Sequence, residues 1–170
     1  MASKVPQWMV GRLLAVAMLG GLGVGGVHMA QQQAELTQAQ ADPYVQAVAA
    51  DPSTSPAVKL AMVMGYYYES SGKHIGTPYV DKLGKGQPLT VCNGITGAGV
   101  VAGKWYSPAD CYALEKGRYL QAESAARRLF AYWASYDAFP QAVFLDFIHN
   151  KGTGALQTST LLRKANAGDL

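Results

Sequence analysis

Three side chains in the middle of the chain have types and spacing that could do chemistry: Glu69 in YYYESSG, Asp81 in PYVDKLG and Thr90 in PLTVC. Glu69 follows three tyrosines, and the nearest basic residue is Lys73. At the C-terminal end of a helix a carboxylate meets the negative end of the backbone dipole, and aromatic neighbours would desolvate it. Both effects favour the protonated form, which makes Glu69 a candidate proton donor. Asp81 is expected at the end of a first strand and Thr90 in the next, so a hairpin would set them side by side. An acid on a helix end, with a carboxylate and a hydroxyl on an adjoining sheet, is the set that water attack on a glycosidic bond requires. One group protonates the leaving oxygen, and the other activates a water that the hydroxyl helps to hold. Each residue also has a plain structural reading: Glu69 as a solvated cap residue, Asp81 as a turn residue, Thr90 as an ordinary strand residue.

The elements that must position them are marked by punctuation. Asp42-Pro43, Ser55-Pro56 and Ser107-Pro108 each put a capping side chain before a proline suited to the first helical position. Helices are therefore expected to start near Pro43, Pro56 and Pro108. The second should run over about 56–70, ending before Gly72, with Val58, Met62, Val63 and Tyr66 as its buried stripe. The third opens SPAD, a capping-box variant with Asp110. It is expected to run into the low 130s, with Leu114, Ala122, Ala125, Leu129 and Trp133 near one face. Between them, TPYVD and PLTVC read as short strands of a small sheet of two or three strands, with Asn93-Gly94, Gly97, Gly99 and Gly103 as breakers. Pro140–Lys151 reads as a helix burying Val143, Phe144, Phe147 and Ile148 and stopped by Gly152. The TST stretch then caps a short helix over 160–167, closed by Gly168. The fold class is α+β, mostly helical with one small antiparallel sheet.

Composition narrows the function. The chain has 170 residues, is 49% hydrophobic and 15% charged, and carries a formal net charge of +3, which suits a packed domain rather than a disordered one. No basic run is interleaved with aromatics, so nucleic acid is not an expected partner. His28, His74, His149 and the two cysteines show no zinc spacing, and no metal or cofactor is implied.

Residues 13–30, LLAVAMLGGLGVGGVHMA, carry no Asp, Glu, Lys or Arg, whereas Lys4 and Arg12 precede them. A positive flank before an apolar run is the export pattern. Five of the 18 residues are glycine and three are alanine, so such a helix gains little from hydrocarbon. The segment is read in three ways. A cleaved signal peptide finds its best site at Ala39-Gln40-Ala41, a permanent anchor would be richer in leucine and isoleucine, and a weak anchor would insert first and later leave the bilayer. The composition favours the last. Residues 1–41 are thus expected to form a signal-anchor segment with a polar linker, and residues 42–170 the body.

Glu69, TPYVDKLGKGQPLTVCNGITG, YSPADCYAL and HNKGTGALQTSTLLRKANAGD together resemble the bacteriophage-type lysozymes, endolysins of glycoside hydrolase family 24. The resemblance covers roughly residues 55–169 and is most specific in its terminal stretch. It implies a lysozyme-like fold and hydrolysis of the β-1,4 bond between N-acetylmuramic acid and N-acetylglucosamine, with peptidoglycan as partner. It implies Glu69, Asp81 and Thr90 as the catalytic set, in the family's order of helix-end glutamate, strand aspartate and threonine in the next strand. Inversion, also implied, needs carboxylates about 6.5–9.5 Å apart. Residues 9–30 look like the glycine- and alanine-rich signal-anchor-release segment of some endolysins. That implies an inner-membrane tether, later periplasmic release and host lysis, with no obligate protein partner.

The sequence departs from the family pattern in places. The Glu69–Asp81 and Asp81–Thr90 spacings are wider than usual, so extra residues around His74 and in KLGKGQP should form loops. Ser70 replaces the usual glycine, and Ile95 stands where a histidine is frequent. The family generally continues with further helices beyond the position matching Leu170, which this chain would lack.

Related endolysins carry cysteines in segments corresponding to Cys92 and Cys111, which implies a disulfide in an exported protein; two buried free thiols are the alternative. Trp105, Tyr106 and Trp133 are candidates for stacking on sugars, with core packing the plainer reading of Trp133. Asp146 and His149, three apart on one helix, are expected to be an exposed or capped pair. Two other functions remain open: a non-catalytic peptidoglycan-binding relic, and a lytic transglycosylase, which would need Glu69 but neither Asp81 nor Thr90.

Overall fold

The computed structural model describes residues 42–84 and 86–169. The expected export segment and its linker, residues 1–41, lie outside the described residues. Among the described residues no helix is long and apolar enough to cross a membrane.

All three Asp/Ser-Pro pairs open helices. Helix α1 spans Pro43–Ala50, and the Asp42 carboxylate accepts the amides of Tyr44 and Val45 at 2.8 and 3.2 Å. Helix α2 spans Pro56–Ser70, capped by the Ser55 hydroxyl and closed by Ser71 in the left-handed region (φ 55°). Helix α3 spans Pro108–Leu129, and its capping box is complete: the Ser107 side chain accepts the Asp110 amide, and Asp110 accepts the Ser107 amide. These side chains satisfy amides that the first helical turn leaves unpaired, and proline has no such amide to lose.

Strands β1 (Tyr79–Val80), β2 (Leu89–Val91) and β3 (Ile95–Thr96) form an antiparallel sheet in the order β1-β2-β3. The β2–β3 turn uses positive φ at Cys92 (55°) and Gly94 (81°). A 3-10 turn at Trp133–Ser135 follows α3, then come α4 (Ala138–Lys151), α5 (Thr153–Gln157) and α6 (Thr160–Ala167), the last capped by Ser159 and closed by Gly168. The fold is α+β, mostly helical with one small sheet. A disulfide joins Cys92 at the end of β2 to Cys111 in the first turn of α3, with Cα atoms 5.5 Å apart, and so fastens the sheet to the helical core.

The core lies where α2 packs on α4, with α3 against both. Ala57, Ala61, Ala122, Ala126 and Ala142 are buried there, and small side chains let the axes approach. Gly65 takes this furthest: a methyl group added there would lie 2.5 Å from the Tyr119 hydroxyl.

Several expectations are corrected. Helix α3 stops at Leu129, since Phe130 turns extended and enters the core. Its buried residues are Cys111, Glu115, Tyr119, Ala122, Glu123, Ala125 and Ala126, so Ala122 and Ala125 are buried as expected, while Leu114 and Leu129 are only half-buried. Helix α4 buries Ala142, Phe144, Leu145 and Ile148; Val143 faces solvent and Phe147 is half-buried. Its sequence is apolar on two faces, and packing on α2 selects between them. Helix α5 was not expected, because Gly152 reads only as the stop of the helix before it.

Glu115, a carboxylate inside the core, is 1% exposed. It accepts the Tyr44 hydroxyl of α1, the Asn93 amide at 3.1 Å and the Asn93 side-chain amide at 3.0 Å. Burial pushes this carboxyl above the ordinary range, and the Tyr44 and Asn93 hydrogen bonds oppose that. A second tie between α1 and α3 is the Lys116–Asp51 ion pair at 2.5 Å.

Candidate active site

Glu69 stands on the last turn of α2 and is exposed. The aromatic enclosure expected around it does not form. Successive helical residues point about 100° apart, so the three tyrosines cannot share one direction. Tyr66 turns into the core, stacks on Tyr44 at 4.6 Å and donates its hydroxyl to Asp42 at 2.8 Å. Tyr67 covers Gly72, and Tyr68 faces solvent. The helix-end position is as expected: the Ser71 amide returns to the Tyr66 carbonyl, and Ser70 donates its hydroxyl to the same carbonyl at 2.6 Å.

Asp81 follows β1 directly. Its amide donates to the Pro88 carbonyl at 3.0 Å, and its carboxylate accepts the Leu83 amide at 2.9 Å. Gly84 lies close enough that a methyl group there would sit 2.9 Å from the same carboxylate. Thr90 is in β2, 2% exposed, and donates its hydroxyl to Pro88 at 3.2 Å. The ladder sets Thr90 opposite Tyr79, not Asp81. The two are therefore diagonal neighbours on one face of the sheet rather than directly paired.

Tyr79 connects this hairpin to Glu69. Its hydroxyl is pushed up by burial first, then by the charges of Asp81 and Glu69. The charges of both carboxylates are thus felt at one tyrosine, which itself stands opposite Thr90. Asp146 of α4 is half-buried and pushed above the usual aspartate range by burial and then by the charge of Glu69. Asp146 accepts Asn150 at 3.2 Å, while His149 stacks on Tyr119 at 4.4 Å, so neither is a free surface residue.

The aromatic candidates separate. Trp105 is 61% exposed and lies edge-on to His74, whose Nε2 is 2.7 Å from the Tyr106 carbonyl. Tyr106 is buried, accepting the Val101 amide and donating to Gly99, both at 2.8 Å, so it is not available to stack on a sugar. Trp133 is core, with its indole N–H unpaired. Among the described residues no cluster of histidine, cysteine or acidic side chains could hold a metal.

Sequence reasoning missed Glu115 and set Asp146 aside. Both lie on helices, and their burial is decided by residues distant in the chain. The one local signal was a charged residue at an otherwise apolar register of α3.

The phage lysozyme family model matches residues 74–170, a span that holds Asp81 and Thr90 and begins just after Glu69. The chain is 37% identical to a SAR-endolysin of Bacteriophage PS119 over 94 residues, 55% of this chain and 53% of that protein. It is 36% identical to the SAR-endolysin of Enterobacteria phage PA-2 over the same coverage. To that of Escherichia phage Mu it is 37% identical over 92 residues, 54% of this chain and 50% of the relative. The chain therefore spans about half the length of the curated relatives it matches. With an α+β fold, a helix-end glutamate, an aspartate after β1 and a threonine in β2, and with more than half of its length matched by the family model, the chain belongs to the phage lysozyme family.

Proposed function

We propose that the protein is an endolysin that lyses the host cell by hydrolysing the β-1,4 bond between N-acetylmuramic acid and N-acetylglucosamine in peptidoglycan. The observation that carries the reading is the phage lysozyme family match over residues 74–170, a span in which Asp81 follows β1 and Thr90 lies diagonal to it in β2, with Glu69 on the last turn of α2 just before it. In this reading residues 42–170 form the catalytic body. Glu69 donates its proton to the glycosidic oxygen as the C–O bond breaks. Asp81 takes a proton from a water that attacks the anomeric carbon from the other face, giving an inverted product. Thr90 donates to Pro88, which leaves its hydroxyl lone pairs to accept a hydrogen bond from that water.

The relatives are named SAR-endolysins, which supports a signal-anchor-release role for residues 9–30 within the 1–41 segment. The protein would then be tethered to the inner membrane and later act in the periplasm.

Digestion of purified peptidoglycan, with product analysis, tests the reaction. New reducing ends, with the inverted anomer seen first by NMR, are expected. Anhydro sugars would indicate a lytic transglycosylase, and undigested peptidoglycan a binding relic; either would overturn the reading.

A further inference from the structure

Arg118 of α3 is exposed and reaches the edge of the sheet, where its Nη2 donates to the Thr96 carbonyl at 2.5 Å. The ladder puts Thr96 in register with the site, since Tyr79 stands opposite Thr90 and Thr90 opposite Thr96. Paired residues of adjacent antiparallel strands have Cα atoms about 4.5–5.5 Å apart, so the guanidinium lies within about 10 Å of the Thr90 backbone. Strand β3 is an edge of the sheet, and the residue after Thr96 does not cover the cation. That residue is Gly97, where a methyl group would lie 3.9 Å from Nη2.

The guanidinium is fixed but only partly used. It has five N–H donors in a rigid planar fork, and the Thr96 carbonyl takes one of them. Other basic side chains on the helices have anions: Lys116 pairs with Asp51, Arg127 with Glu123 and Lys164 with Asp169. Among the described residues Arg118 belongs to no ion pair. A fixed cation without an anion, close to the threonine that would hold the attacking water, fits an anionic group of the substrate. Peptidoglycan supplies one at each N-acetylmuramic acid. Its lactyl group ends in a carboxyl, which is either free or joined to a peptide that carries carboxylates of its own. A glycan of N-acetylglucosamine alone has none.

We propose that Arg118 is a specificity residue whose guanidinium pairs with a carboxylate borne by N-acetylmuramic acid, on its lactyl group or on the peptide attached there. This rests on the reading of peptidoglycan as substrate. The planar fork matches a carboxylate with two parallel N–H···O bonds. Because Thr96 already holds the fork, less side-chain freedom is lost on binding.

The test compares Arg118→Gln with the native chain on three substrates: intact peptidoglycan, peptidoglycan freed of its peptides by an amidase, and intact peptidoglycan with its carboxyls converted to amides. On each, the variant's kcat/KM is divided by that of the native chain. Loss of an exposed ion pair should lower this ratio about three- to fivefold, through KM rather than kcat, and the ratio should return to about one on the amidated polymer. A loss that persists on the peptide-free glycan, whose lactyl carboxyls are free, assigns the lactyl carboxylate. A loss confined to the intact polymer assigns the peptide. A ratio equal on all three substrates, whether unchanged or lowered by a loosened β3, would overturn the proposal and leave the glycosidase reading intact. Inactivity of the native chain on every substrate would remove the glycosidase reading instead, and binding then decides. Cosedimentation of the Glu69→Gln chain with intact peptidoglycan should weaken by the same factor when Arg118→Gln is added, and unchanged binding would overturn the pairing.

Discussion

Thr90 pairs with Tyr79 across the β1–β2 ladder, and Asp81 lies two residues further on, opposite Pro88 and on the same face of the sheet. Diagonal neighbours of this kind are about 7–8 Å apart, room for a water between a carboxylate and a hydroxyl. Glu69→Gln should therefore abolish lysis with the fold intact. Asp81→Asn should lower kcat by about 10²–10⁴-fold, the range of a lost general base, and Thr90→Ala by less. Turbidity clearing, with near-ultraviolet dichroism to verify folding, reads all three. Full activity in Asp81→Asn would show that the water is activated elsewhere.

The seam between α2 and α4 makes a prediction of opposite sign to helix propensity. Alanine in place of a helical glycine gains about 1 kcal/mol from the backbone. At Gly65 the new methyl group would meet the buried Tyr119 hydroxyl at 2.5 Å, and Tyr119 is a stiff ring held against His149. Overpacking of this kind costs about 1–3 kcal/mol. Gly65→Ala should therefore be destabilised in urea unfolding; a gain in stability would show that Tyr119 can move aside.

Glu115 should leave a signature in the pH dependence of stability. Its folded carboxyl is raised by burial above the value it has in the unfolded chain. The stability contributed by its bound proton is therefore fully present below the unfolded value, about 4.3, and is lost as pH rises through the folded value. Glu115→Gln has no proton to lose. Its stability relative to the native chain should rise as pH is taken from about 4 to 8, read by urea midpoints at several pH values. A constant difference would mean that Glu115 titrates alike in both states. Glu115→Ala, which strands the Tyr44 hydroxyl and the Asn93 amides, should cost about 3 kcal/mol at about pH 4 and less as pH rises, since alanine has no proton to lose either.

The Cys92–Cys111 bridge closes a loop of sequence separation 19 between the sheet and α3. Replacing both with serine should lower stability by about 3 kcal/mol. Material expressed in the periplasm should show no titratable thiol after denaturation without reductant. Two thiols there would mean that the sheet is held to α3 by packing alone.

How much was legible follows from how local each cause is. Asp42, Ser55 and Ser107 cap the amides of residues two or three positions on, so the starts of α1, α2 and α3 could be read directly. Strands β1 and β2 were legible in TPYVD and PLTVC, whereas β3 follows a turn through Cys92 and Gly94 too short to mark Ile95–Thr96 as a strand of its own. Glu115 was not, because its burial is made tolerable by Tyr44, 71 residues away, and Asn93, 22 away. Which face of α4 is buried was equally hidden, for both Val143 and Leu145 are apolar and only α2 chooses between them. At the site, the order Glu69, Asp81, Thr90 was in the sequence, but the two-residue diagonal offset of Asp81 from Thr90 depends on the ladder register. Asp146 drew notice only as a neighbour of His149, whereas its actual surroundings come from α2 and α3.

The last prediction concerns residues 13–30 and follows from transfer energetics. Leucine, isoleucine, phenylalanine and valine at a helix centre favour insertion by only about 0.3–0.6 kcal/mol each. Gly20, Gly21, Gly23, Gly25 and Gly26 would give no such gain and would loosen a helix there, which puts the expected insertion near balance. Under the signal-anchor-release reading, the catalytic body is held at the membrane until the bilayer or its potential is disturbed. Replacing the five glycines with leucine shifts the balance toward the bilayer by about 2 kcal/mol or more. That variant should stay in the membrane fraction and lyse cells late or not at all. The native chain should divide between membrane and soluble periplasm at full length, with His28 still attached. Mass spectrometry of the soluble form decides the matter, since a chain beginning at Asp42 would mean cleavage after Ala41 by a signal peptidase, and release of an intact anchor would be lost.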